Sequence, residues 1–390
     1  MSRNRTACSI ARPCEPSLRR AILSYTAILW VLTWALITPA CRPSAPAKHF
    51  NEAARWEIAG HIRQWVEGAG GTRVWIKTRA PAGALPDQPD VPLVAVASTE
   101  IYPELLSGLE QQSKKDGLEF KVRETRGQRG YRTADIRLAR HGELVCGWQL
   151  REVRQLLRAA VVIDDLGQDL PAAEKLLALP YPLTFSVLPR LPHSRETAEA
   201  ARRAGHEVML HLPMEPLPGE HVSPGVGEIR TSMSPEELGR VIAADLKTVP
   251  YAAGVNNHMG SRATADFALM AAVMEVLKEQ RLYFVDSRTT AATVALDAAR
   301  RTGLPAFYRS VFLDDTETVP YTLERLRTFR HVIEQQGAAL AIGHPYPTTI
   351  AALTQFLPEF DRNDIQLVPP SELVRLPEVA RLWPPGHGSL

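Results

Sequence analysis

Cysteine is scarce in this chain of 390 residues, which contains four. Cys8, Cys14 and Cys41 lie in or beside the N-terminal segment, so that Cys146 alone remains in the rest of the chain. An intramolecular disulfide needs two cysteines in the folded part. We therefore expect no such bridge.

After the first twenty residues, the chain also lacks a cluster of basic residues. Its formal net charge is +2 at pH 7, and the first forty residues contain five arginines and one glutamate, which leaves −2 for the remainder. This balance gives no support for nucleic-acid binding. The chain is 45% hydrophobic and 23% charged, which is typical of a globular protein with a sizeable core, and its length suggests two domains.

One long apolar run is present, from Ala21 to Ala40, and it follows the five arginines directly. A basic segment followed by an apolar one predicts an export signal, and this run is also long enough to span a bilayer if it is not cleaved. Cys41 stands where a lipoprotein signal places its acylated cysteine, and Ala45-Pro46-Ala47 offers an ordinary cleavage site. Residues 1–41 are predicted to be a signal peptide, a lipoprotein signal or a membrane anchor, followed by a linker over residues 42–50. We expect an exported, periplasmic or extracytoplasmic protein that is membrane-anchored.

Residues 51–150 have the pattern of a small α+β domain. Helical spacing covers Asn51–Glu67 and Ile101–Lys114, and the apolar runs predict strands over Arg73–Ile76, Leu93–Ala97, Leu118–Val122, Tyr131–Leu138 and Glu143–Gln149. Candidate ligands are not concentrated in this domain, so we interpret it as a packing or partner-docking module.

Residues 158–378 alternate short apolar runs with helical periodicity, and residues 379–390 form a tail. The predicted strands are Ala160–Ile163, Leu183–Leu188, Glu207–Leu210, Ala252–Val255, Leu282–Val285, Ala306–Leu313, Ala339–Ile342 and Ile365–Val368. Seven or eight strands alternating with helices over ~220 residues favour a parallel barrel over an open sheet. The predicted fold class is therefore α/β, with the barrel preceded by the small domain.

Six of these apolar runs are followed directly by aspartate, histidine or asparagine residues. They lead into Asp164-Asp165, His211, Asn256-Asn257-His258, Asp286, Asp314-Asp315 and His344. Because the carboxyl ends of parallel strands converge on one face, these side chains are predicted to share a site. His206 begins its strand, at the opposite end, and is interpreted as structural.

One aspartate and two histidines leave an open coordination position, as a catalytic zinc requires. We expect Asp165, His211 and His258 to hold Zn²⁺ or another divalent first-row metal, which lowers the pKa of water and polarises a carbonyl. Asp164 would then act as the base and His344 as the acid. This set describes hydrolysis of an amide or ester without a covalent intermediate.

Six motifs carry a resemblance to a known family: VVIDDLG, TFSVLP, HSRETAEAARRAGHEVMLHLPMEP, GVNNHMGSR, FVDSRTT and AIGHP. From about Arg158 to Leu376 the chain resembles the divergent polysaccharide deacetylases (YibQ-type proteins), a distant branch of the NodB-homology deacetylases. The resemblance implies a distorted (β/α)7-type barrel and metal-dependent removal of acetyl groups from N-acetylated sugars. It also implies that Asp164 is the base, Asp165 a metal ligand, His211 the first histidine of the HxxxH motif and His344 the acid.

The chain departs from the family pattern at two motifs. Glu215 replaces the second histidine of HxxxH, and the segment from Asn256 to Arg262 replaces an arginine-proline motif, which makes His258 the inferred replacement ligand. Asp286 lies where the family has a carboxylate that tunes the catalytic histidine.

Further side chains are assigned by position. Arg262 or Arg288 is expected to hold Asp164 by a charge-assisted bond, which gives Arg262 a catalytic role. The predicted substrate-binding residues are Asn256, Asn257, Glu215 and Arg288.

These assignments favour an envelope hydrolase that removes N-acetyl groups from a polysaccharide or peptidoglycan sugar. A metal-dependent amidase acting on peptides or small amides is a second enzyme hypothesis. A non-catalytic envelope protein that binds a glycan or a partner is the third. Retention of Asp164 and His344 favours catalysis, whereas loss of the second histidine of HxxxH favours binding alone.

Overall fold

The structure is a computed structural model that describes residues 52–77, 92–127, 130–220 and 223–376. The predicted signal or anchor (residues 1–41), the linker (42–50) and the tail (379–390) lie outside these residues. Within them, no helix combines the length and the apolar character needed to cross a membrane.

The first part of the described chain forms a five-stranded sheet with two helices. Its elements are α1 (Glu52–Gly70), β1 (Val74–Lys77), β2 (Leu93–Ser98), α2 (Tyr102–Lys115), β3 (Glu119–Arg126), β4 (Arg132–Arg140) and β5 (Glu143–Val153). The strand order is β1-β2-β5-β4-β3, and β2 pairs with β5 in parallel while the other pairs are antiparallel. His141 and Gly142 turn between β4 and β5 with φ of 53° and 80°, as a tight hairpin turn requires. The predicted α+β character is confirmed.

The second part alternates strands and helices. The strands are β6 (Leu157–Leu166), β7 (Thr184–Val187), β8 (Glu207–Met214), β9 (Ala252–Met259), β10 (Tyr283–Asp286), β11 (Ala306–Tyr308), β12 (Val311–Phe312), β13 (Ala338–Gly343) and β14 (Ile365–Leu367). The helices are α3 (Leu170–Leu177), α4 (Ser194–Arg203), α5 (Pro235–Leu246), α6 (Phe267–Glu279), α7 (Ala295–Thr302), α8 (Val319–Gln336), α9 (Pro347–Arg362) and α10 (Pro370–Leu373).

These strands form a curled parallel sheet in the order β11-β10-β9-β8-β7-β6-β13-β12, with β14 beside the start of β6. The segment that contains β11 and β12 changes its pairing partner in the middle. The Arg309 amide donates to the Asp286 carbonyl of β10, and the next amide, of Ser310, donates to the Leu340 carbonyl of β13. One segment therefore pairs with β10 on one side and with β13 on the other, which brings the two ends of the curled sheet together. The predicted distorted (β/α)7-type barrel is confirmed.

Alternating side chains divide the core into two layers. On β6, Ala159, Val161 and Ile163 belong to the cluster that packs against the helices, whereas Ala160 and Val162 belong to a smaller cluster inside the barrel. Successive side chains of a strand point to opposite faces, so this division follows from the sequence of the strand. The same alternation determines the face to which the next side chains of β6 point.

Two predicted details of the strands are wrong. His211 and Asn256 lie within β8 and β9 and do not end them, because the backbone ladder pairs them with each other and continues to Met214 and Met259. The predicted strand Ala306–Leu313 is divided into β11 and β12 because its pairing partner changes.

The helix starts follow local capping chemistry. Ser234 and Glu237 form a capping box at the start of α5, with each side chain accepting a backbone N–H of the other residue. Asp266 caps α6, since its side chain accepts from the Leu269 amide at 3.0 Å. The nearby Thr264 donates its hydroxyl to the Gly260 carbonyl.

Gly254 on β9 leaves the space that the Tyr283 ring occupies inside the barrel. A Cβ atom at Gly254 would lie 2.4 to 2.6 Å from three atoms of that ring. Tyr283 is 5% exposed, and its hydroxyl donates to Glu207 at 2.6 Å, so the ring has little freedom to move. We expect Gly254→Ala to lower the free energy of unfolding by about 1–3 kcal/mol, as overpacking does, measured by urea denaturation.

The matched control is Gly239→Ala in α5, where an added Cβ meets nothing within 4 Å. An alanine inside a helix is favoured over glycine by about 1 kcal/mol, so this variant should be as stable as the unmodified protein or more so. Equal stability of the two variants would contradict this packing.

Candidate metal centre

Both aspartates that end β6 reach the mouth of the barrel, by different routes. Asp164 continues the inward face of Ala160 and Val162 and is 3% exposed. Asp165 would point outward in a regular strand, but its φ is +58° and the pairing with β7 shifts register between Ile163 and Leu166. This bulge turns the second carboxylate back toward the mouth.

The next residues also depend on a left-handed backbone. Gly167 has φ of +113°, and a Cβ there would lie 3.2 Å from both the Ser194 hydroxyl and a Val187 methyl. A glycine is therefore required where the chain leaves the bulge.

Strands β8 and β9 supply the histidines. His211 pairs directly with Asn256, and Pro213 pairs with His258, so that the three polar side chains share the inward face. His211 is 2% exposed, and the His258 side chain is 21% exposed. One histidine is thus inside the barrel, and the other is at its mouth.

Asp165, His211 and His258 bring one donor atom each to a common point. Asp165 Oδ1 lies 3.2 Å from His211 Nε2 and 3.0 Å from His258 Nδ1, and the two nitrogens are 3.0 Å apart. Donors that bind one tetrahedral zinc at the usual bond lengths lie about 3.3 Å from one another. The spacing of the three atoms fits a single small cation.

The surroundings of Asp165 support this fit. Its Oδ1 is buried and accepts no well-aligned hydrogen bond in the part of the chain that the structure describes, although two imidazole nitrogens lie next to it. Buried polar atoms are normally satisfied, so a carboxylate oxygen of this kind between two histidines fits the role of a cation ligand. The predicted ligands therefore lie together in a suitable arrangement.

Asn256 orients both His211 and Asp164. Its Nδ2 donates to Asp164 Oδ1 at 2.8 Å and to Ser287 Oγ at 3.2 Å, so its Oδ1 must accept from Ser186 Oγ at 2.7 Å and His211 Nδ1 at 2.9 Å. Because Nδ1 of His211 carries the proton, the lone pair of Nε2 points toward Asp165 and His258.

His344 lies on the other side of Asp165. Its Nδ1 donates to Asp314 Oδ1 at 3.0 Å, and its Nε2 lies 3.7 Å from Asp165 Oδ2. Asp314 also accepts from the His344 amide at 2.6 Å and from Thr349 Oγ1 at 2.7 Å through Oδ2, so both the backbone and the ring of His344 are held. Phe312 and Tyr346 flank the ring, with centroids 5.2 and 5.5 Å away.

These contacts shift the pKa values of His344, Asp165 and His211. Burial lowers the pKa of His344, but the hydrogen bond and the charge of Asp314, with smaller contributions from Asp164 and Asp165, raise it to about 9. Burial raises the pKa of Asp165, and the adjacent His211 and His258 outweigh it and hold that pKa well below its ordinary value. For the fully buried His211, the charges of the two aspartates outweigh burial, and its pKa is raised.

The sequence model of a family described as divergent polysaccharide deacetylase matches residues 161–374. The chain belongs to this family. It is 39% identical over 228 residues to the uncharacterized protein YibQ of Escherichia coli (strain K12), which covers 58% of this chain and 70% of YibQ. An uncharacterized protein of Haemophilus influenzae is 35% identical over 211 residues, covering 54% of this chain and 74% of its own length.

A solved structure shares the fold. The crystal structure of the uncharacterized protein ATU2773 from Agrobacterium tumefaciens C58 matches with a TM-score of 0.54 and 23% identity, over 56% of this chain and 89% of that chain. This likeness supports the barrel alone.

In this member of the family, the position predicted for Asp286 is wrong. Its Oδ1 accepts from the Arg288 amide at 2.8 Å and its Oδ2 from Thr293 Oγ1 at 2.9 Å, whereas Asp314 is the carboxylate beside His344. The reason is the pairing of β12 with β13, which brings Asp314 next to the end of β13. Asp286 supports a loop and does not contact the histidine.

The predicted partner of Asp164 also changes. Arg262 donates to Glu215 Oε1 at 2.8 Å and Arg288 lies over the Tyr308 ring, so neither arginine contacts Asp164, which is held by Asn256. A neutral amide thus takes the position expected for a guanidinium.

The predicted substrate-binding set is changed as well. Asn256 and Asn257 are 0% and 1% exposed, too buried to meet a glycan, and Asn257 joins β9 to the Ser287 and Thr289 loop. Glu215 accepts from the Thr231 amide at 2.7 Å and the Thr231 hydroxyl at 2.8 Å, so it joins two loops. Arg288 is exposed, and its substrate-binding role remains a prediction.

The sequence placed Asp314 on the same face but gave it no role, and it did not point to Ser186 or Ser287 as parts of the site. Asp314 carried a signal, since it follows an apolar run in the same way as the other polar positions. The two serines carried none, because a serine at a strand end is common in any protein.

His206 has the structural role predicted for it. It is 6% exposed, accepts the Leu183 amide at Nδ1, and packs against Phe185 at the opposite end of the barrel.

The Asp314–His344 pair gives a prediction for the metal-free protein. We expect Asp314→Asn to lower the pKa of His344 from about 9 by about 1–3 units, because the adjacent carboxylate is the main group that favours its protonated form. An NMR titration of labelled histidine measures this directly. Asp286→Asn is the control and should leave the titration unchanged; a larger effect from this variant than from Asp314→Asn would contradict the corrected assignment.

The contacts of Asn256 give a second prediction. We expect Asn256→Ala to weaken binding of zinc about 10–100-fold, since it releases the tautomer of His211, measured by competition with a chromogenic chelator. Ser186→Ala removes one donor to the same amide and leaves His211 and Asp164 in contact with it, so its effect should be smaller. Thermal unfolding confirms that both variants are folded, and unchanged affinity in folded Asn256→Ala would refute the orienting role.

Proposed function

We propose that this chain is a metal-dependent hydrolase that removes N-acetyl groups from a polysaccharide or peptidoglycan sugar of the cell envelope. The observation that carries the proposal is the pair of groups beside the three candidate ligands. Asp164 Oδ2 lies 3.7 Å from His211 Nε2, and His344 Nε2 lies 3.7 Å from Asp165 Oδ2. A site that only binds metal needs neither an additional base nor an acid.

Asp165, His211 and His258 would hold the cation through one oxygen and two nitrogens. This donor set suits zinc and other divalent first-row metals and leaves a coordination position open. When bound, such a cation polarises a carbonyl oxygen and lowers the pKa of water.

Asp164 is suited to accept the proton of the attacking water. Asn256 donates to its Oδ1, which leaves Oδ2 on the side of His211. The carboxylate is buried and held by a neutral amide, so its negative charge is not cancelled by an arginine. General base catalysis requires a fixed group of this kind within reach of the water.

His344 is suited to protonate the departing nitrogen. Its Nδ1–H is engaged by Asp314, and the raised pKa keeps the ring protonated at neutral pH in the metal-free protein, with Nε2–H on the side of Asp165. The water oxygen bonds to the acetyl carbon, the C–N bond breaks, and the nitrogen takes the proton of His344. The products are acetate and the free amine of the sugar.

Family membership supports a polysaccharide amide as the substrate class. The arginine-rich segment before residues 21–40 supports export to the envelope, where such glycans occur.

Metal analysis and acetate release test the proposal on the full chain. The protein should bind about one zinc, which Asp165→Ala loses. Asp164→Asn should retain the metal while acetate release from N-acetylglucosamine oligomers falls by about 10²–10⁴-fold, since only the base is removed. Metal binding without release of acetate or amine from any envelope glycan would overturn the enzymatic proposal in favour of a binding protein.

A further inference from the structure

Arg288 is the first exposed residue after β10, and the residue before it contacts the side chain that holds the candidate base. The preceding residue, Ser287, accepts a hydrogen bond from Asn256 Nδ2, the same group that donates to Asp164. Arg288 has φ of +52°, a conformation that non-glycine residues rarely adopt. Strain of this kind is typical of functional sites, and here it sets the direction in which the side chain leaves the loop.

Arg309 holds this loop from the neighbouring segment. Its Nε donates to the Ser287 carbonyl at 2.6 Å, and its Nη2 donates to the Arg288 carbonyl at 2.9 Å. Its guanidinium also lies 4.9 Å from the Phe312 ring centroid, and Phe312 packs on His344. Arg309 therefore connects the Arg288 loop with the side of the mouth where the candidate acid lies.

The positively charged side chains of Arg288 and Arg309 therefore lie at the same loop, and neither has a carboxylate partner within the described residues. In the described ranges, no carboxylate oxygen lies within the 4.0 Å of an ion pair from the guanidinium nitrogens of Arg288 or Arg309. Burial lowers the pKa of Arg309, and the charge of Arg288 lowers it further, while Asp315, Asp286 and Asp164 oppose this from a distance. By contrast, Arg262 and Arg190 are neutralised by Glu215 at 2.8 Å and Asp245 at 2.6 Å.

The Tyr308 ring orients the outer arginine. The Arg288 guanidinium lies 5.4 Å from the centroid of Tyr308, within the range of a cation–π contact, and Tyr308 itself stacks on Phe307. The guanidinium is thus held beside the ring, and within the described residues its N–H groups donate no hydrogen bond, which leaves them for a ligand. A planar guanidinium matches a carboxylate with two parallel hydrogen bonds.

We infer that Arg288, supported by Arg309 and Tyr308, forms a subsite for a carboxylate on the glycan, so that the preferred substrate is an acidic N-acetylated oligosaccharide. This inference rests on the proposed function for the reaction, whereas the binding of a carboxylate at Arg288 does not require catalysis. A neutral N-acetylated sugar would leave the two charges uncompensated.

Two disaccharides make a matched pair of ligands. N-acetylglucosaminyl-N-acetylmuramic acid carries a lactyl carboxylate that diacetylchitobiose lacks. Their affinities for the full-length, zinc-loaded Asp164→Asn protein, which blocks turnover, are measured by calorimetry. We expect the acidic disaccharide to bind about tenfold more tightly, as one charge-assisted pair provides, and added salt to reduce this preference.

Arg288→Gln should abolish the preference by weakening the binding of the acidic disaccharide about tenfold. The matched control is Arg301→Gln on α7. The Arg301 guanidinium also lies over an aromatic ring, 5.0 Å from the centroid of Phe267. This control should retain the preference.

Equal affinity for the two ligands in the Asp164→Asn protein, or a preference that survives in Arg288→Gln, overturns the inference. Acetate release by the unmodified protein is measured in parallel. A preference that depends on Arg288, found in a protein that releases no acetate, supports the subsite and overturns the proposed function. Acetate release without any preference between the two disaccharides supports the proposed function and overturns the subsite.

Discussion

One buried amide, that of Asn256, has to satisfy four partners at once. Its two N–H groups donate to Asp164 and Ser287, and its oxygen accepts from Ser186 and His211. These contacts use the full hydrogen-bonding capacity of a primary amide. The side chain therefore has one orientation, which fixes the proton of His211 on Nδ1 and holds Asp164 without adding a charge. The positions of a candidate ligand and of the candidate base depend on the same group.

The barrel makes this arrangement possible at the cost of local backbone strain. Asp165, Met259 and Arg288 have φ of 58°, 53° and 52°, and they lie at or just after the ends of β6, β9 and β10. Such conformations persist where the surrounding structure determines them, as the paired strands and the packed interior do here. The bulge at Asp165 is the most consequential, since a regular strand would direct this carboxylate toward the helices and away from His211.

Much of the fold followed from the sequence, because apolar runs of period two and helical spacing are local signals. The proximity of Asp164 and His211 also followed, since it depends only on the carboxyl ends of parallel strands lying at one face. The contact between His344 and Asp314 did not, because it depends on how the segment of β11 and β12 changes its pairing partner. Asp286 and Asp314 look alike in sequence, each following an apolar run, and only long-range pairing separates them. Likewise, the replacement of an arginine by Asn256 as the partner of Asp164 required knowledge of which side chains of β6 and β9 meet inside the barrel.

The central claim is that Asp165, His211 and His258 bind one ion together. Anomalous diffraction at the zinc edge from crystals of the zinc-loaded protein tests it most directly. The account predicts one strong peak within bonding distance of Asp165 Oδ1, His211 Nε2 and His258 Nδ1. A peak bound through Glu215 or elsewhere, with these three donors unoccupied, would contradict it.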